Sequence, residues 1–132
     1  MNITVLVNTD TALPTVCGDE NLLKQLYFNI LKNAIEAMSD GGRLSISATS
    51  DDDFVKLEFS DTGCGMDEEG ISNLFQPHYT TKPDGHGLGM TIIQAIVRAH
   101  DGKIDVKSAK GEGTTITVSI PRKQRRVRML GY

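Results

Sequence analysis

Asn29, Lys32, Asn33 and Glu36 recur at three- and four-residue spacing in a segment otherwise rich in Leu, Ile and Ala. Residues so spaced stack on one side of a helix, so two carboxamides, an ammonium and a carboxylate form a polar ridge that Gln25 extends. Further on, Asp61 stands ahead of Gly63, Gly65 and Met66, a carboxylate followed by a tight glycine turn. A third group, Gly85, His86, Gly87, Leu88, Gly89 and Met90, leads into a helical pattern. Each has a chemical use. A carboxylate accepts a hydrogen bond from an exocyclic amine, and glycines let backbone approach a flat ring. Amides at a helix start favour phosphate, and carboxamide oxygens suit a hard divalent ion. Singly, each also has an ordinary explanation: polar side chains that satisfy one another, an Asx turn, a glycine turn. In this order they form a kit for holding ATP with Mg2+.

Two commoner phosphate motifs fail on inspection. The dinucleotide fingerprint would need glycine where Met90 stands, and the Walker A pattern would need Ser or Thr where Ile104 follows Gly102 and Lys103.

The elements that must position these groups follow from hydrophobic period. Around the ridge, Leu23, Leu26, Tyr27, Ile30, Leu31, Ala34, Ile35, Ala37 and Met38 fill the remaining circumference. This predicts a helix from about Glu20 to Met38, nearly buried all round, with its ridge facing a ligand cavity. Asn29 and Asn33 are poor helix formers, which a ligand-lining role would explain. Asp19 is the expected N-cap, with Gly41 and Gly42 just past the end. A second helix is expected from Leu88 to His100, with Leu88, Ile92, Ala95, Ile96 and Ala99 facing inward and Gly102 as its stop. A shorter one is expected near Asp67 to Asn73.

Five segments alternate with the period of a half-buried strand: Ile3, Val5, Val7; Leu44, Ile46, Ala48; Val55, Leu57, Phe59; Ile104, Val106; and Ile116, Val118, Ile120. Such clean alternation implies a sheet with one wet face. The fold class is therefore α/β: a two-layer α/β sandwich, its mixed, mainly antiparallel sheet covered on one face by about three helices. Residues 1–121 form the domain. Within it, about 76–87, with Pro77, Pro83 and Gly85, reads as a loop long enough to act as a lid. Residues 122–132 are a basic tail, either a solvated end or a contact for an acidic partner.

At 132 residues the chain is long enough to bury a core, and its net charge of −3 argues against a general nucleic-acid binder. No apolar run approaches the roughly 20 residues that cross a bilayer, and no signal peptide is visible. Cys17 and Cys64 match no zinc or disulfide framework and read as free thiols. The expected location is cytoplasmic.

From about Thr15 to Pro121 these groups resemble the ATP-binding catalytic domain of bacterial sensor histidine kinases, a Bergerat-fold superfamily that also holds DNA gyrase B and MutL. The resemblance implies roles. Asn33 would hold Mg2+, and Asp61 would read the adenine amino group, with Thr114 positioning Asp61 or a water. Gly63, Gly65, Met66, Gly85, His86, Gly87, Leu88 and Gly89 would line the nucleotide. Lys32 would offer a point charge to phosphate. Glu36, where many relatives are basic, is left with three readings: a Mg2+-bound water, a salt bridge to Lys32, or no role. Leu74 to Pro83 resembles the lid of the nitrogen-regulation branch. Phe75 would anchor that lid, Thr80, Thr81 and Lys82 would reach the triphosphate, and His78 is a tolerated substitution rather than a metal ligand.

Asn29 separates reaction classes. Relatives that hydrolyse ATP or phosphorylate serine carry glutamate there, and an amide cannot act as a general base. A neutral imidazole needs far less activation, so Asn29 favours transfer to histidine. None of His78, His86 and His100 stands in the family's acceptor context. The partners implied are a histidine-containing dimerisation domain of the same parent protein and a response regulator, without nucleic acid or direct membrane contact. The alternatives are a serine kinase of the anti-sigma-factor type and a nucleotide-binding module without kinase activity.

Overall fold

The computed structural model describes residues 2–9, 18–72 and 89–122. Cys17, the lid segment, and the tail beyond Arg122 lie outside these residues. The chain runs β1 (Ile3–Thr9), α1 (Glu20–Ala37), β2 (Gly42–Ser50), β3 (Phe54–Asp61), α2 (Glu68–Ser72), α3 (Gly89–Ala99), β4 (Lys103–Ala109) and β5 (Gly113–Pro121). The sheet order is β1-β2-β3-β5-β4, with β1 parallel to β2 and every other pairing antiparallel. This is the mixed, mainly antiparallel sheet of a two-layer α/β sandwich.

Register explains the core. Ile46 pairs with Phe59, Phe59 with Ile116 and Ile116 with Val106; Ala48 pairs with Leu57, Leu57 with Val118 and Val118 with Ile104. The inward apolar residues of β2, β3, β4 and β5 thus fall on one face, where α1 and α3 cover them. Leu26, Ile93 and Val118 are fully buried there and join Ile30, Phe59 and Ile116 in one cluster. Each such side chain contributes about 1.5–3 kcal/mol by leaving water. A smaller cluster of Ala34, Met38 and Leu44 seats the C-terminal end of α1 on β2.

Turn chemistry follows the sequence. Asp51 Oδ1 accepts from the Asp53 and Phe54 amides at 2.9 and 2.8 Å, closing the β2–β3 turn, and these bonds hold its carboxyl below its ordinary range. Asp19 caps α1, its side chain accepting from Leu22 N at 3.1 Å. Asp67 does the same for α2 through Gly70 N at 2.8 Å.

Four expectations need correction. First, α1 is not buried all round: Phe28 is 65 % and Ile35 44 % exposed, on the side of the helix turned away from α3 and the sheet. A count of apolar residues cannot say whether a neighbour exists to cover each one. Second, α3 turns Met90, Ile93, Ile96 and Val97 inward, whereas Ala95 and Ala99 are exposed. Large side chains win the core-facing position because burying Ala removes far less surface from water. Third, the residue that closes α3 after Ala99 is Asp101, not Gly102. Asp101 takes the left-handed φ of 57°, with its amide donating to Arg98 O at 3.1 Å and the Gly102 amide to Val97 O at 2.9 Å. This is a Schellman closure. Fourth, β1 alternates but is not half-buried: Val5, Leu6 and Val7 are all at least half exposed, because β1 is an edge strand lying beyond the cover of α1.

Arg122, the first residue of the basic run, is tied down. Its amide donates to Asp53 O at 2.9 Å and its Nη1 to Asp51 O at 2.8 Å. Among the described residues, no helix is long and apolar enough to cross a membrane.

Candidate functional site

Asp61 ends β3 at a point where the strand is central, paired to Leu44 on one side and Thr114 on the other. It is 8 % exposed, the one buried charged side chain among the described residues. Its Oδ1 accepts from the Gly63 amide at 2.8 Å, and the Thr114 amide is its second backbone donor. Burial dominates these two bonds and pushes its carboxyl above its ordinary value. So costly a group at the end of a central strand stands where something else offsets the cost, which makes Asp61 the candidate recognition residue of this site.

The glycine loop after Asp61 is fastened on two sides. Toward α1, Cys64 N donates to Ala37 O at 3.1 Å, and a Cβ on Gly63 would stand 2.5 Å from that carbonyl. Toward the β4–β5 hairpin, Gly111 N donates to Cys64 O at 2.6 Å and Met66 N to Ser108 Oγ at 2.8 Å. Gly65 has φ 70°, and a Cβ there would lie 2.0 Å from Ala109 O. Both glycines are therefore required by close approach of the protein's own backbone, a reason beside the expected approach to a flat ring. Cys64 is an exposed free thiol.

The ridge on α1 lies along the border between its buried and solvent sides. Asn29 and Asn33 are half-buried one turn apart, while Gln25, Lys32 and Glu36 are exposed. Asn33 Nδ2 donates to Met90 Sδ at 3.4 Å, joining the ridge to the start of α3. The three sequence groups are thus brought together: Asn33 meets Met90, and Ala37, one turn further along α1, meets Gly63 and Cys64. Gly89 opens α3. Phe75, Thr80, Thr81, Lys82, Gly85, His86, Gly87 and Leu88 lie outside the described residues.

Magnesium fits this donor set in one way. Among the described residues no group of three or more His, Cys, Asp or Glu is gathered to hold a metal. Asn33, its carboxamide oriented by Met90 and half-buried beside the N-terminus of α3, is a single hard oxygen donor. An ion held there must take most of its ligands from phosphate and water, the usual habit of Mg2+.

Ser108 was not among the expected site residues. Its Oγ accepts from Met66 N, donates to Gly113 O at 2.9 Å and bonds Thr114 Oγ1 at 2.8 Å. The signal was present: Ile104, Val106 and Ser108 share the inward face of β4, so a hydroxyl occupies an apolar register position. His100 is also fully engaged, its Nδ1–H donating to Ile96 O at 2.8 Å and its Nε2 accepting from Asp19 N at 3.0 Å.

Comparison with known proteins agrees with this geometry. The family described as "Histidine kinase-, DNA gyrase B-, and HSP90-like ATPase" matches residues 18–124. Sporulation kinase E of Bacillus subtilis is 38 % identical over 93 % of this chain, which spans 17 % of that kinase's length. The nucleotide-free catalytic domain of histidine kinase ThkA superposes with a TM-score of 0.82 at 31 % identity, covering 92 % of this chain and 80 % of that one. Full-length ShkA in complex with AMPPNP superposes with a TM-score of 0.81 at 26 % identity, over 92 % of this chain and 26 % of that one. The chain belongs to the histidine kinase-, DNA gyrase B- and HSP90-like ATPase family, and within it is an ATP-binding catalytic domain of the sensor histidine kinase kind.

Proposed function

We propose that this domain binds ATP with Mg2+ and donates the γ-phosphoryl group to a histidine on a separate dimerisation domain of the same parent protein, which then passes it to a response regulator. The observation that carries this reading is Asp61, a buried carboxylate at a strand end, held by the Gly63 and Thr114 amides and pushed up by burial. A neutral adenine amine is the partner such a group suits: it donates a hydrogen bond without demanding a second charge. The analogue bound to ShkA, a structural neighbour over nearly the whole chain, supports an adenine nucleotide as ligand.

The remaining roles follow from chemistry. Gly85, His86, Gly87, Leu88 and Gly89 lead into the N-terminus of α3, where amides and the helix dipole receive the phosphates. Thr80, Thr81 and Lys82, in the 76–87 segment read from sequence as a lid that Phe75 would anchor, would supply further phosphate contacts, and Lys82 would neutralise developing charge. Asn33 holds Mg2+, and Lys32 adds a point charge. When bound, the ion screens the triphosphate so that an incoming lone pair can approach. Asn29 has no basicity to activate a hydroxyl or water, which supports histidine as acceptor. Catalysis is then positioning plus charge neutralisation. Residues 1–121 are the catalytic unit, 122–132 an appended basic tail, and the setting is cytoplasmic.

The test supplies labelled ATP, Mg2+ and a separately made dimerisation domain from a related kinase. Acid-labile label on that domain is expected. Acid-stable label would assign a serine kinase, and ATP binding without transfer would assign a nucleotide-binding module.

A further inference from the structure

We infer that Ser108 is a positioning residue for the nucleotide site: its hydroxyl pins the glycine loop to the start of β5 and so keeps both backbone donors of Asp61 in place. The inference rests on the reading of Asp61 as the adenine-recognising carboxylate.

Asp61 is held by two amides from different segments, Gly63 on the loop and Thr114 on β5. Their separation is set by whatever joins loop to strand. Ser108 joins them directly, with Met66 of the loop on one side and Gly113 and Thr114 of β5 on the other, all within 2.9 Å. The second tie, Gly111 N to Cys64 O, belongs to the turn of the hairpin. Ser108 pairs with Thr114 in the β4–β5 register, so its hydroxyl is carried by regular sheet rather than by a loop.

Proton bookkeeping sharpens the role. A serine hydroxyl has one hydrogen and two lone pairs. The hydrogen goes to Gly113 O, which can only accept, and the Met66 amide takes one lone pair. The third bond must therefore use the Thr114 hydrogen, donated to the second lone pair. Ser108 is then saturated and has nothing left to offer a ligand, so it acts through Asp61 and Thr114. Thr114 in turn keeps only acceptor capacity for any further contact. Loss of the Ser108 hydroxyl frees the Thr114 hydrogen, leaves the Met66 amide without its partner, and lets Gly63 and Thr114 drift from the Asp61 carboxylate.

The experiment measures ATP affinity of the whole chain by calorimetry, as a function of pH, for wild type, Ser108→Ala, Ser108→Thr and Val55→Ala. Val55 is buried at the opposite end of β3, where it pairs with Ile120, and serves as a stability control. Ser108→Ala is expected to weaken ATP about tenfold, the order of one well-placed hydrogen bond. Its affinity should begin to fall at higher pH than in wild type, because the donors that hold the Asp61 carboxyl down are displaced. Ser108→Thr, which keeps the oxygen in a strand-favouring residue, should restore both values. Val55→Ala should lose melting temperature and leave affinity and pH profile unchanged. Should Ser108→Ala not fold, Ser108→Cys, of similar size with a weak thiol donor, takes its place with the same expectation. Unchanged affinity in Ser108→Ala, an equal loss in Val55→Ala, or no rescue by Ser108→Thr overturns the inference. Absence of ATP binding by wild type would instead overturn the reading of the site itself.

Discussion

His100 Nε2 accepts a hydrogen bond from the backbone amide of Asp19 at 3.0 Å, across 81 positions of sequence. Its Nδ1–H donates to Ile96 O, so one imidazole couples the N-cap of α1 to the last turn of α3. With both nitrogens committed, this ring has no lone pair to offer a phosphoryl group, which agrees with an acceptor located in another domain. Gly18 is shaped to the same contact, since a Cβ there would stand 2.6 Å from the ring.

Replacing His100 with Ala is expected to cost about 1 kcal/mol for the lost hydrogen bonds. Amide exchange should locate that cost at the first turn of α1 and the last turn of α3, with little change at Val118. Uniform acceleration across the sheet would refute the coupling.

Asp61 should trade stability for recognition. Its folded pKa is raised, so the folded state binds its proton more tightly than the unfolded chain does. Stability therefore falls as pH rises from the unfolded value through the raised one, and the loss persists at neutral pH. Asp61→Asn removes that slope and is expected to raise the melting temperature of the unliganded domain at pH 7. It should weaken ATP by roughly 10- to 100-fold, the range for a hydrogen bond to a charged group. Melting curves at several pH values and calorimetry test the two halves separately. An unchanged ATP affinity would remove Asp61 from the adenine site.

Gly65 and Gly111 allow a paired comparison. Both have positive φ, 70° and 83°, but a Cβ on Gly65 meets Ala109 O at 2.0 Å and one on Gly111 meets nothing within 4 Å. Gly111→Ala should cost about 1–2 kcal/mol from backbone alone. Gly65→Ala should cost clearly more, because carbonyl and loop must part as well. Urea denaturation of the two variants measures the difference, and equal losses would show that packing at Gly65 is slack.

Asp101 pays for a left-handed turn that glycine would adopt freely. Asp101→Gly is expected to stabilise the domain by about 0.5–1 kcal/mol, seen as a higher urea midpoint with unchanged slope. A lower midpoint would mean that the Asp101 side chain contributes something its backbone position does not reveal.

The sheet was legible because period two is a strict rule. Once Ile46, Phe59 and Ile116 alternate, any register that buries one buries all. The N-cap at Asp19 was legible because few residue types close a helix start. The facing of α3 was not, since Ala95 and Ala99 continue the 3.6-residue period of Ile92 as well as any larger residue, and only the volume available against α1 decides between faces. The exposure of Phe28, Ile35 and Val7 depends on what lies opposite, which composition does not encode. In the candidate site, Asp61 stood out as a carboxylate at the head of a glycine run. Ser108 did not, though a hydroxyl on the apolar register of β4 was a readable sign. The glycines of the loop were seen as room for a ligand, while their contacts with Ala37 and Ala109 needed the tertiary structure.

The β2–β3 turn at 51–53 sits at the far end of β3 from Asp61. At about 3.3 Å per residue, the strand sets the two roughly 23 Å apart. Asp52, exposed in that turn, is thus a place to attach a dye or insert a reporter peptide. A label there would follow tumbling and assembly of the domain while leaving the chemistry at the opposite rim untouched.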